Sequence, residues 1–120
     1  MDDTRRADIA YIAAALVRGQ HGNTVYDFSR GVHTIFSGTV DPNSVSIYDH
    51  TRGCFISGTG SRGDFSLYDF GEGAHVTLRI DGEAFTGYDF ASSSHFTGNV
   101  SGSSVTLYDF DVGQHYQYSV

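Results

Sequence analysis

A 20-residue repeat constrains this chain more than any other feature. The stretch Val105-Thr106-Leu107-Tyr108-Asp109-Phe110 recurs as Val45-Ser46-Ile47-Tyr48-Asp49-His50, as Phe65-Ser66-Leu67-Tyr68-Asp69-Phe70 and as Phe85-Thr86-Gly87-Tyr88-Asp89-Phe90. A reduced copy stands at Val25-Tyr26-Asp27-Phe28. The tyrosines follow one another at intervals of 22, 20, 20 and 20 residues. A fixed short period means a repeat architecture, in which one supersecondary unit is copied along the chain.

Within each unit the hydrophobic period is two. Phe65, Leu67 and Asp69 share one face of a strand, and Ser66, Tyr68 and Phe70 share the other. The segment His75 to Ile80 alternates in the same way after the turn Gly71-Glu72-Gly73-Ala74. Folding at that turn sets Phe65 opposite Ile80, Leu67 opposite Leu78, and Phe70 opposite His75. The same folding sets Phe90 against His95 and Phe110 against His115, while His50 meets Phe55 with the two residue types exchanged. Gly31, Gly53, Gly73 and Gly113 occupy one phase, where a type I turn followed by a left-handed residue needs glycine. The linking turns, Asp41-Pro42-Asn43-Ser44 among them, are polar and rich in breakers. The first repeat carries two extra residues within Val32 to Ile35, where a bulge or longer loop is expected.

The fold expected is mainly β, with about ten short strands from five repeats of ~20 residues. An antiparallel meander is favoured over a parallel β-solenoid, on electrostatic grounds. Stacked coils would set Asp27, Asp49, Asp69, Asp89 and Asp109 about 4.8 Å from their neighbours. Each adjacent pair would then repel by roughly 1 kcal/mol in water, and by more when buried. In a meander the separation doubles and the repulsion is mostly screened.

One helix is expected before the repeats, over residues 4–18. Ile9, Ile12 and Leu16 lie in a wide apolar stripe, Asp2, Asp3 or Thr4 can cap the start, and Gly19 suits the end. Almost no charge lies between Ala7 and Val17, so burial on most sides is expected, against the sheet or a partner chain. The chain reads as one domain, 1–120, with the β region at 23–120. Nine apolar residues, Ile9 to Val17, are too few to cross a bilayer, which takes about 20. The start lacks the positive region of a signal peptide. An acidic, soluble, cytoplasmic protein is expected, and the lone Cys54 fits a reducing compartment.

The formal net charge of -7 argues against a nucleic-acid partner, which calls for clustered Lys and Arg. His75, His95 and His115 recur in phase, but in a meander they stand too far apart to share a metal ion, so packing against Phe is the expected role. The aspartates sit in equivalent places before turns, which suits bonding to turn amides better than catalysis. Neither an enzyme nor a cofactor is expected. The row Tyr48, Tyr68, Tyr88 and Tyr108 lies opposite the aliphatic face. An exposed aromatic face is a candidate surface for a carbohydrate or other small ligand. The expected role is a structural or interaction module that self-associates into a homo-oligomer. Its expected contacts are the helix residues Ile9, Ile12 and Leu16 and a final strand carrying Tyr116, Tyr118 and Val120, read as a free edge.

Overall fold

The structure, a computed structural model, describes residues 1–120. Helix α1 spans Asp3–Arg18. Ten strands follow: β1 Thr24–Asp27, β2 Val32–Asp41, β3 Ser44–Asp49, β4 Cys54–Ser61, β5 Asp64–Asp69, β6 Ala74–Asp81, β7 Ala84–Asp89, β8 Ser94–Ser101, β9 Ser104–Asp109 and β10 Gln114–Ser119. Each strand pairs antiparallel with its neighbours in sequence, and β1 pairs with β10. The sheet is therefore a closed barrel. This corrects the expected antiparallel meander, and the solenoid alternative with it.

The helix is the physical reason for closure. Ten strands about 4.8 Å apart, tilted by about 40°, put the backbone wall about 10 Å from the barrel axis. Eight-stranded barrels fill with their own side chains, but a ten-stranded one leaves a lumen. Helix α1 lies in that lumen, not across a sheet face or against a partner. Arg5 to Ala15 are all buried, with Ala7, Ala10, Ile12 and Ala13 at 0 % exposure. An α-helix is 10–12 Å across with ordinary side chains, and the alanines keep this one slim. At 1.5 Å per residue its 16 residues run about 24 Å, which matches strands of six to eight residues. The Asp2 carboxylate accepts from the Arg5 amide at the start, and Gly19 ends the helix at φ 70°.

The inward residues of the strands meet the helix in one core, including Val25, Phe36, Ile47, Leu67, Leu78 and Phe96. Tyr11 of the helix stacks on Phe36, ring centroids 4.1 Å apart. Volumes are matched between strands. The inward Gly87 faces Phe96, and a Cβ at Gly87 would stand 2.2 Å from that ring. Gly98 stands in the same relation to Phe85, at 2.1 Å.

The hairpins differ in register from expectation by two. Phe65 pairs with Leu78, Leu67 with Val76 and Tyr68 with His75. The turn begins one residue earlier than expected because Asp69 is the last paired residue, opposite Ala74. A shift of two leaves every face unchanged. The two extra residues of the first repeat form neither bulge nor loop. They lengthen β2 to ten residues, so that it pairs with β1 through Val32 to Ile35 and with β3 through Phe36 to Asp41.

Candidate functional site

The unit Tyr-Asp-Phe puts three side chains out, in and out. Each inward Asp accepts hydrogen bonds from the turn that follows it. Asp69 Oδ1 takes the amides of Gly71 and Glu72 at 3.0 and 3.1 Å, and Asp49 Oδ1 takes those of Thr51 and Arg52 at 2.8 and 3.0 Å. Asp27, Asp89 and Asp109 hold their turns through Ser29, Ala91 and Asp111. The turn closes when the amide of Gly73 donates to the Asp69 carbonyl at 2.8 Å, a bond repeated at Gly31, Gly53 and Gly113. These glycines have φ between 66° and 72°, and Ser93 takes the same left-handed place in the fourth repeat at 53°.

The outward residues build an aromatic belt. Tyr68 packs edge-on against Phe70, the first residue of the turn after its own strand, and His75 of the next strand, both ring centroids 4.8 Å away. The trio recurs as Tyr26 with Phe28 and His33, as Tyr88 with Phe90 and His95, and as Tyr108 with Phe110 and His115. In the second repeat Tyr48 lies between His50 and Phe55. The expected Phe–His pair is thus a trio centred on Tyr, and the exchanged residues at 50 and 55 flank one ring. Backbone bonds link each of the last three trios to the one before it. The amide of Phe70 donates to the Phe55 carbonyl, that of Phe90 to His75 and that of Phe110 to His95. At the closure the amide of Phe28 donates to the carbonyl of Gln117, two residues beyond His115.

The Phe rings of the belt stand 53–61 % exposed. Open grooves lie beside them, floored by outward hydroxyls. One, of about 520 Å³, runs between Phe55 and Phe70 over Ser46 and Ser57. Another, of about 470 Å³, lies between His95 and Phe110 over Thr86 and Thr97. A third, of about 460 Å³, joins Tyr88 and His95 to Ser66, Thr77 and Arg79. Each groove therefore offers apolar ring faces beside hydrogen-bonding hydroxyls.

Inside the barrel, at the mouth where these turns lie, is a largely buried ring of charge. Arg5 donates Nη1 and Nη2 to Asp89 at 2.8 and 2.7 Å, and Nε to Asp69 at 3.0 Å. Arg52 donates Nη1 and Nη2 to Asp69, both at 2.8 Å, and Nη1 also reaches Asp8 at 2.6 Å. Arg6 meets Asp109 at 3.0 Å and Asp3, and its guanidinium lies 3.8 Å over the Tyr116 ring. Arg30 meets Asp27 at 2.6 Å. Burial raises the Asp69 and Asp89 carboxyls, but bonds from Arg52 and Arg5 outweigh it and hold both below the usual range.

The expected binding tyrosines Tyr48, Tyr68, Tyr88 and Tyr108 come together as the centres of the belt's trios. The residues expected at a self-association surface lie elsewhere. Ile9 and Ile12 are inside the lumen, and Leu16, Tyr116 and Val120 pack against the core. Tyr118 is 1 % exposed, and β10 is paired on both sides, so it is not a free edge. No three His, Cys, Asp or Glu side chains are arranged to hold a metal ion. No helix is long and apolar enough to cross a membrane. The charged residues Arg5, Arg6, Asp8 and Arg52 were not legible as a site in the sequence. Arg5 and Arg6 did carry a signal. Two cations in a helix's first turn oppose its dipole and need a specific acidic partner. No protein-family model, curated protein or solved structure matches this chain.

Proposed function

We propose that the protein is a non-enzymatic binding module that takes neutral carbohydrate on its outer aromatic belt. The observation that carries this is the repeated pairing of a half-exposed Phe face with a row of Ser and Thr hydroxyls. A pyranose ring has the matching chemistry, with an apolar C–H face and a rim of hydroxyls. The lumen offers no competing site, because the helix fills it. The net charge of -7 disfavours acidic polymers and favours neutral ones. Equivalent trios recur every second strand, about 10 Å apart, so a polymer can engage more than one of them at once.

Electrophoresis through gels containing soluble neutral polysaccharides tests this. The parent should be retarded by at least one of them. The triple variant Phe70→Ser, Phe90→Ser, Phe110→Ser should run as in a blank gel, while keeping its melting temperature because those rings are exposed. Equal mobility of parent and variant in every neutral glycan would remove the proposal.

A second copy of this chain is the competing occupant. The belt is where five Phe rings stand exposed on the outside of the barrel. Sedimentation of the parent and the triple variant at micromolar concentration separates the two. A parent dimer that the variant abolishes, with no glycan retardation, would favour self-association.

A further inference from the structure

We propose that Asp8 and Asp49 hold one resident proton between them, with Asp8 as its donor, at the charged mouth of the barrel. The count of groups comes first. Four buried carboxyls, Asp8, Asp49, Asp69 and Asp89, are served by two guanidinium groups, Arg5 and Arg52. Asp69 and Asp89 take five of the six bonds these two make, and Asp8 takes one, on Oδ2. Asp49 meets no cationic side chain. Its Oδ1 accepts the amides of Thr51 and Arg52.

Two oxygens are left over, Asp8 Oδ1 and Asp49 Oδ2, and both are buried without a hydrogen-bond partner. Asp8 is 1 % exposed and Asp49 is 0 % exposed, and their carboxyl groups lie within hydrogen-bonding reach of each other. Two bare carboxylates in such contact would repel strongly out of water. One proton turns that contact into an O–H···O⁻ bond and satisfies both oxygens. Aspartyl pairs elsewhere behave in this way, since like charges in contact cannot both ionise.

The surroundings agree. Burial, then the neighbouring Asp49, raise the Asp8 carboxyl well above its ordinary range, against the opposing pull of Arg52. The groups facing the pair are Arg52 and, through it, Asp69 and Asp2. Arg5 lies behind Asp69. Cys54 is the remaining titratable neighbour, and burial pushes its thiol up, so it stays uncharged. With two carboxylates and no third donor, a cation has too few ligands there.

The sign of the linkage follows. Asp8 binds its proton more tightly folded than unfolded, so its contribution is complete below about pH 4 and is lost as pH rises through its folded value. Across that window the folding constant falls up to tenfold per pH unit from this group alone. Infrared difference spectra of the parent against Asp8→Asn at pH 7 should show a buried protonated carboxyl C=O band. Urea unfolding from pH 4.5 to 9 should show a smaller loss of stability with rising pH for Asp8→Asn, whose amide can replace the shared proton. Absence of the band from the parent overturns the proposal, even if the variant fails to fold. So does a parent stability that rises with sodium or potassium at constant ionic strength, since a bound cation would then occupy the gap.

Discussion

Asp69 is the residue where the repeat and the helix are joined. Its Oδ1 fixes the turn after β5, while its two oxygens together receive Arg5 from the helix and Arg52 from the turn before β4. One side chain therefore sets a hairpin and seats the helix. Arg5 does the complementary work, bridging Asp69 and Asp89 from inside the barrel. Removing one partner of a buried ion pair leaves an uncompensated charge, at a cost of about 3–5 kcal/mol. Arg5→Met should lose that much in urea denaturation. The double variant Arg5→Met, Asp89→Asn should recover part of it, because one stranded carboxylate is gone. Additive losses in the two variants would mean that the ring is not one coupled unit. The turn-capping role of the aspartates was legible in the sequence, since each precedes its turn by the same count. Their ion pairing was not, because Arg30 beside Asp27 is the one partner close in sequence, while Arg52, Arg5 and Arg6 lie between 17 and 103 residues from the repeat aspartates they meet.

The helix is the element that decides which face of the sheet becomes the core. Its span and both of its ends could be read from Asp2, the alanine-rich run and Gly19, but its place could not. A helix with apolar and small residues all round fits either a lumen or a crowded interface, and only the size of the closed sheet distinguishes them. The register shift has a similar origin. Period-two alternation fixes faces, and it is blind to a slip of two residues. Ile12, fully buried at the middle of α1, tests the lumen placement directly. Ile12→Asp buries a carboxylate with no partner, at a cost of several kcal/mol against a total stability of about 5–15. The variant should be unfolded or bind a dye for exposed apolar surface. A variant that melts with the parent would place the helix outside the barrel.

At the scale of the whole molecule, the weak point is the seam that closes the barrel. Interior strand pairs such as β5 with β6 align six residues, whereas β1 meets β10 through the two pairs Tyr26–Ser119 and Asp27–Tyr118, with the Phe28–Gln117 backbone bond just beyond them. β1 is also the shortest strand, at four residues. Closure there depends on inward contacts as much as on the ladder. Val25 and Tyr118 are both buried, and α1 packs against β1. Local opening takes least free energy where the fewest backbone bonds and apolar contacts must break. Hydrogen exchange read by mass spectrometry should therefore show the amides of 24–27 and 117–119 exchanging before those of β5 to β8. Joining the two sides should suppress this. Tyr26 and Ser119 are direct cross-strand partners, both facing outward, so cysteines at both positions can bridge the seam. Such a crosslink closes a loop of roughly 90 residues and should stabilise the fold by up to about 4–5 kcal/mol, less any strain. Exchange at the seam should then fall to the rate of the interior strands. If the parent's seam is already as protected as β5 to β8, the barrel opens as one unit and the two-pair junction is not its weakest point.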